Sequence, residues 1–189
     1  VAAVMIAGCV PSIHGIATKE NIVWDEGLIG RWGDAEKAND PNAEVWQFER
    51  GRQEDTYYAL THSVDGKVGQ FKAVLVQVGD MLFLDLFPGE NDALKNTSDL
   101  YKTHLVGMHT FIIIDELGDK LKMRMMDLDK VKKLVEENPA VVKHEIRDDL
   151  VILTAGPNEL QDFLLKYANR IYGDKEGDAM VKLSAGEGK

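Results

Sequence analysis

One cysteine in 189 residues leaves no partner for an internal disulfide. Basic residues are also short: 22 Lys and Arg stand against 32 Asp and Glu, a formal net charge of −10. So acidic a chain lacks the cationic face that nucleic-acid binding needs, and it has no polybasic patch for anionic lipids. Beyond the first residues, no segment approaches the ~20 apolar residues of a membrane-spanning helix. Catalytic signatures are missing too. There is no Gly-x-Ser-x-Gly elbow, no Gly-rich phosphate loop followed by Lys-Ser/Thr, and no His-Glu-x-x-His. The histidines, His14, His62, His104, His109 and His144, lack metal-ligand spacing, and His104 and His109 would face opposite sides of one strand. No metal, cofactor or catalytic residue is expected, and the chain reads as a non-enzyme.

What is present is a hydrophobic content of 44% and a charged content of 29%, ordinary for one globular domain. The organising stretch runs from about Ala43 to Asp127. Turn dipeptides punctuate it and the region after it: Asp65-Gly66, Gly79-Asp80, Gly118-Asp119 and Asp148-Asp149, each between β-branched or aromatic runs. Trp46 and Phe48 alternate with Val45, Gln47 and Glu49. Leu121, Met123 and Met125 alternate with Lys122 and Arg124, the period of a half-buried strand. Met81–Phe87 and Phe111–Ile114 are instead apolar on both faces, so a helix, another sheet or a ligand cavity must cover the second face.

Strands are expected near Leu28–Trp32, Ala43–Glu49, Thr56–Ser63, Lys67–Val78, Met81–Phe87, His104–Ile114 and Lys120–Asp127, with a last hairpin at Val141–Arg147 and Leu150–Thr154. Between Pro88 and Tyr101 the strand pattern stops. That long loop, with a helical turn around Ala93-Leu94-Lys95, reads either as a lid over a barrel mouth or as an exposed crossover. Leu128, Val131, Leu134 and Val135 share one helical face behind Asp127, with Pro139 beyond the end, giving a short helix at about Leu128–Glu137 before the last hairpin. A second, C-terminal helix starts at Pro157 and buries Leu160, Phe163, Leu164, Tyr167 and Ile171. The fold class is mainly β: an antiparallel meander of about eight to nine strands closing into a barrel, because closure removes the edges of so long a meander. A two-sheet sandwich is the alternative. The domain is expected over 23–172, with 10–22 a tether and 173–189 a flexible polar tail.

The first nine residues form an apolar run ending in small residues, Ile6-Ala7-Gly8-Cys9. This resembles the lipobox of bacterial lipoproteins, in which the cysteine becomes the first mature residue and carries the lipid. The resemblance implies that 1–9 is the remnant of a signal peptide whose charged start is not in the sequence, and that Cys9 is the lipidation site. Val10 rather than Asp after the cysteine implies the outer membrane of a cell envelope, facing the periplasm. The plain alternative is a buried first strand with Cys9 as a small core residue.

Gly30-x-Trp32 resembles the first-strand signature of lipocalins and related calycin barrels, where the Trp plugs the closed end. Such barrels are either filled by side chains or hold one small ligand. The expected function is therefore a membrane-anchored, non-catalytic barrel that binds a small apolar or amphiphilic molecule or lipid. Trp32, Trp46, Phe48, Tyr58, Phe83, His109, Met123 and Met125 are the candidate ligand-binding residues. Met-rich strands suit an adaptable cavity, but ordinary core filling is the more common use of such residues. The alternative is an anchored interaction module with a filled barrel and an envelope protein as its partner.

Overall fold

A computed structural model describes residues 9–52, 57–89, 96–173 and 179–184. The strands are β1 (Ile22–Val23), β2 (Gly30–Gly33), β3 (Val45–Arg50), β4 (Tyr58–Val64), β5 (Lys67–Val78), β6 (Met81–Pro88), β7 (Thr110–Leu117), β8 (Lys120–Met125), β9 (His144–Arg147), β10 (Leu150–Leu153) and β11 (Met180–Leu183). The helices are α1 (Asp99–Lys102), α2 (Leu128–Glu137) and α3 (Pro157–Ile171).

Strands β2 to β8 and β11 close an eight-stranded antiparallel barrel in the order β5-β4-β3-β2-β11-β8-β7-β6, with β6 returning to β5. Strand β1 is an extra: it pairs with the far half of β5, Ile22 opposite Val76 and Val23 opposite Leu75. The expected hairpins form where the turn residues place them. Asp65 (φ 51°) and Gly66 (φ 70°) both take the left-handed conformation of a two-residue hairpin turn, as do Asp148 (47°) and Asp149 (63°). Helix α2 is capped by the Asp127 side chain, which accepts from the Lys130 amide at 3.1 Å. Helix α3 starts with Pro157 in its first turn, and the Glu159 carboxylate accepts from the Gly156 amide at 3.3 Å.

Side-chain alternation divides the apolar residues into two cores. Inside the barrel lie Leu28, Trp32, Trp46, Phe48, Tyr58, Leu60, Ala73, Leu75, Leu84, Leu86, Ile112, Ile114 and Leu121. Outside it, Val76, Phe83, Phe111 and Ile113 on β5–β7 meet α2, α3 and β10, through residues such as Val131, Leu134, Val151, Phe163 and Leu164. The second apolar face read from Met81–Phe87 and Phe111–Ile114 is thus the outer face, covered by helices and a small second sheet.

Several expectations are corrected. The last hairpin, β9–β10, does not enter the barrel but forms its own two-stranded sheet, Leu153 opposite His144. The place it would have taken belongs to β11, which pairs with β2 (Lys182 opposite Trp32) and with β8 (Met180 opposite Leu121). Part of the supposed flexible tail at 173–189 is therefore a barrel strand: its four residues in a Gly-rich, charged context are too short a run to stand out as period 2. The supposed tether at 10–22 is structured as well. Val10, Ser12 and Ile16 are fully buried. The Ser12 amide donates to the His109 carbonyl at 2.9 Å, and the Ile13 amide to the Leu153 carbonyl at 2.9 Å, so this arm joins barrel and hairpin. Its polar residues hid three inward-facing ones. There are also three helices rather than two among the described residues; α1 is capped by Ser98. The helical turn expected at Ala93-Leu94-Lys95 lies outside the described residues.

Closure through so short a strand makes a direct test. Val181 stands opposite both Gly33 and Lys120. Val181→Pro places a residue without an amide donor in a strand that has neighbours on both sides, and is expected to cost about 1–3 kcal/mol through the lost ladder hydrogen bond. Urea unfolding followed by tryptophan fluorescence reads the loss. An unchanged midpoint would mean that the barrel does not depend on β11.

Candidate functional site

One end of the barrel is closed by stacked aromatics. The chain from β1 to β2 crosses this end through a 3-10 turn, Glu26–Leu28, capped by the Asp25 side chain accepting from the Gly27 amide at 2.7 Å. Trp24 stacks on Tyr58, centroids 4.2 Å apart and planes 5° from parallel. The Arg50 guanidinium covers the outer side of Trp24, 4.8 Å from the ring centroid, and pairs with Glu26. Glu26 also accepts from the Trp24 indole at 3.0 Å. Beneath this stack Tyr58 is fully buried, its hydroxyl accepting from the Asp25 amide at 2.8 Å and donating to the Asp25 carbonyl at 3.1 Å. Trp32, also fully buried, donates its indole N–H to the Leu28 carbonyl at 2.8 Å and so ties β2 to the closing turn.

The opposite end is open. There a recess of about 560 Å³ is lined by Trp46, Ile112, Met123, Met125 and Met180, with Asp34, Lys37, Glu44 and Ala179 at its margin. Period-2 alternation puts these side chains on the interior face: Ile112 stands opposite Met125, and Ile114 opposite Met123. The polar margin is ordered. Glu44 Oε1 accepts from the Trp46 indole at 3.1 Å and lies 2.9 Å from His62 Nε2. Above all, the bond to the His62 imidazole holds the Glu44 carboxyl below its usual range, with the indole N–H adding to the effect. Lys37 pairs with Asp34 at 3.7 Å.

The eight candidate ligand residues separate into three places. Trp46, Met123 and Met125 line the recess. Trp32, Phe48 and Tyr58 lie in the packed interior below it. Phe83 and His109 are corrections, because both face outward. Phe83 shares parity with Asp85 on β6 and packs against Tyr172, centroids 6.0 Å apart. His109 precedes β7 on the parity of Phe111 and lies against the arm. His62, Tyr58 and His109 therefore sit at the mouth, the closed end and the outer wall, and do not converge. No described residue of 96–109 lines the recess, so the described part of the supposed lid does not cover it.

Sequence reasoning passed over the most unusual polar residue, Asp85, which is 3% exposed. Its signal was available: a lone acid within the apolar run Met81–Phe87. Asp85 Oδ1 lies 2.6 Å from His109 Nδ1, while Oδ2 accepts from the Ile16 and Ala17 amides at 2.8 and 3.3 Å. A Cβ at Gly15 would come within 2.5 Å of the Asp85 carboxylate and 2.8 Å of the His109 ring, so only glycine lets the arm backbone lie on this pair.

The chain matches no protein-family model, and no curated protein or solved structure matches it significantly.

The closing stack carries its own pH test. Burial pushes the Tyr58 phenol up to about 12 from an ordinary value of 10. In the unfolded chain the phenol ionises near its ordinary value, while the folded chain keeps its proton. The stability this group contributes is thus complete below about pH 10 and lost as pH rises through about 12. Tyr58→Phe is expected to flatten that alkaline decline relative to the parent, read by urea unfolding between about pH 9 and pH 12. Parallel curves for the two proteins would show that Tyr58 ionises freely in the fold.

Proposed function

We propose that this protein is a lipid-anchored component of the cell envelope whose barrel binds a small amphiphilic molecule without transforming it. The observation that carries the reading is the one-ended recess. Trp46, Ile112, Met123, Met125 and Met180 offer an apolar wall, while the aromatic stack blocks passage through the other end. An apolar segment placed there leaves water and gains roughly 25 cal/mol per Å² buried, and its polar end meets Asp34, Lys37 and Glu44 at the margin. A recess open at one end and plugged at the other suits a single small ligand held end-on.

The anchor rests on Ile6-Ala7-Gly8-Cys9 and on the exposure of Cys9. Because Val10 is buried and the Pro11 carbonyl accepts from the Leu153 amide at 2.9 Å, a lipid on Cys9 would leave directly from the folded surface. The domain would sit against its membrane with no slack between them. The second reading, an anchored interaction module, is favoured by Leu100, Tyr101, Leu105 and Val106, four exposed apolar side chains on the β6–β7 connection.

A neutral apolar fluorophore, N-phenyl-1-naphthylamine, tests the recess. It is expected to brighten on titration with the protein, to be displaced by decanol, and to lose its site in Met123→Trp. No brightening, or brightening indifferent to Met123→Trp, would move the function to the interaction surface. For the anchor, Cys9→Ser in the precursor is expected to shift the protein from the membrane to the soluble fraction of a bacterial host. Unchanged fractionation would remove the lipid from the reading.

A further inference from the structure

A second recess, of about 530 Å³, lies on the outer wall of the barrel, where the N-terminal arm crosses β5 and β6. We infer that this groove binds a small carboxylate-bearing amphiphile, at a site separate from the barrel mouth. Its walls are apolar: Ala17 and Ile22 from the arm and β1, Val74 from β5 and Phe87 from β6. Four polar side chains besides Asp85 face it, His14, Tyr57, Lys72 and His109. Asp85 is the only acid among its described lining residues, and both of its oxygens are engaged, by the His109 ring and by the Ile16 and Ala17 amides. In a chain of net charge −10, this groove therefore presents one permanent cation and two imidazoles, with its single negative charge already satisfied internally.

That charge pattern selects the occupant. Lys72, exposed on β5, lies with its ammonium 5.7 Å from the Tyr57 ring centroid in this groove. One permanent positive charge matches one carboxylate better than a doubly charged phosphate monoester. The imidazole of His109 is fixed at Nδ1 by Asp85 and packed against Phe87, centroids 4.7 Å apart. Nε2 is then the nitrogen left for a ligand oxygen. Asp85 acts here as a positioning residue, orienting the ring and holding the arm that forms one wall. The apolar tail lies along Val74 and Phe87, which share the outward face as diagonal neighbours on β5 and β6, with Lys72 directly opposite Phe87 and Asp85 opposite Val74.

The probe is decanoate, with decanol as its uncharged counterpart, titrated into the full chain and followed by the histidine ring proton resonances. Decanoate is expected to shift the His109 resonances at one-to-one stoichiometry. Lys72→Gln, an exposed change that leaves the fold alone, is expected to weaken it about fivefold, as the loss of one partly solvated ion pair. Val74→Trp is expected to abolish binding by filling the slot, and Met123→Trp to leave it unchanged. The inference is overturned if decanoate fails to shift His109, if decanol shifts His109 at as low a concentration, or if Met123→Trp rather than Val74→Trp removes the His109 shift. Should Val74→Trp not fold, the His109 shift and the Lys72→Gln effect decide the matter. Since the mouth is probed by a neutral fluorophore and by Met123→Trp, failure of one site is distinguishable from failure of the other.

Discussion

Strands β5, β6 and β7 carry large apolar side chains on both faces, and neither face can be left in water. Leu75, Leu84 and Ile112 point into the barrel, while Val76, Phe83, Phe111 and Ile113 point out. Burying each such side chain contributes about 1.5–3 kcal/mol, so exposing the outer four would remove about as much free energy as holds a typical domain together. The coat is thus obligatory. Helices α2 and α3, the β9–β10 hairpin and the N-terminal arm all contribute fully buried residues to one outer core, among them Val10, Val131, Val151 and Leu160. The barrel can be regarded as having one thick, double-cored wall and a thinner remainder, where polar residues such as Gln47, Thr61 and Lys122 alternate with the interior set.

Within that thick wall a single carboxylate poses the reverse problem. Asp85 lies between Phe83 and Phe87 on the outward face, where an unpaired charge would be costly. The arm solves it with two backbone amides, and His109, just before β7, with its imidazole. The arm cannot then run straight. It follows β7 and β10 at Ser12, bends over Asp85 at Gly15–Ala17, and reaches β5 at Ile22. A groove remains where the bend stands away from β5. Stability and the outer groove therefore have one origin, the accommodation of one buried acid.

The fold was legible where local chemistry and tertiary context agree. Strand β5 and helix α2 begin and end at the residues their patterns indicate, Lys67–Val78 and Leu128–Glu137. Alternation also identified the two-faced strands and the need to cover them. Legibility failed where an element is defined by its neighbours. Met180–Leu183 becomes a strand because β2 and β8 would otherwise leave open edges, and the arm is ordered by contacts 69 and 68 residues away in sequence at Asp85. The site fared similarly. Trp46, Met123 and Met125 were found by parity, whereas Phe83 was placed inside because a two-faced strand does not say which face is which. His109 does lie where the long loop rejoins the sheet, but on the outer wall, and its partner Asp85 was invisible without the fold.

The interior bears on what kind of ligand could enter. Trp32, Phe48, Tyr58 and Leu60 occupy the space beneath the mouth, each at most 1% exposed, so nothing can be swallowed whole. An occupant of the recess must keep one end in water, which favours an amphiphile over a wholly apolar molecule. The two sides of the mouth also differ in stiffness. On β3 and β4, Trp46 is held by the Glu44 carboxylate and lies 4.6 Å from the His62 ring. On β8 and β11 the wall is Met123, Met125 and Met180, unbranched thioethers that repack at little cost. A rigid indole facing a deformable sulfur wall would fix where a ligand lies while leaving its width open. On the proposed reading, selectivity at the mouth would come from the position of the polar head at the margin more than from the shape of the tail.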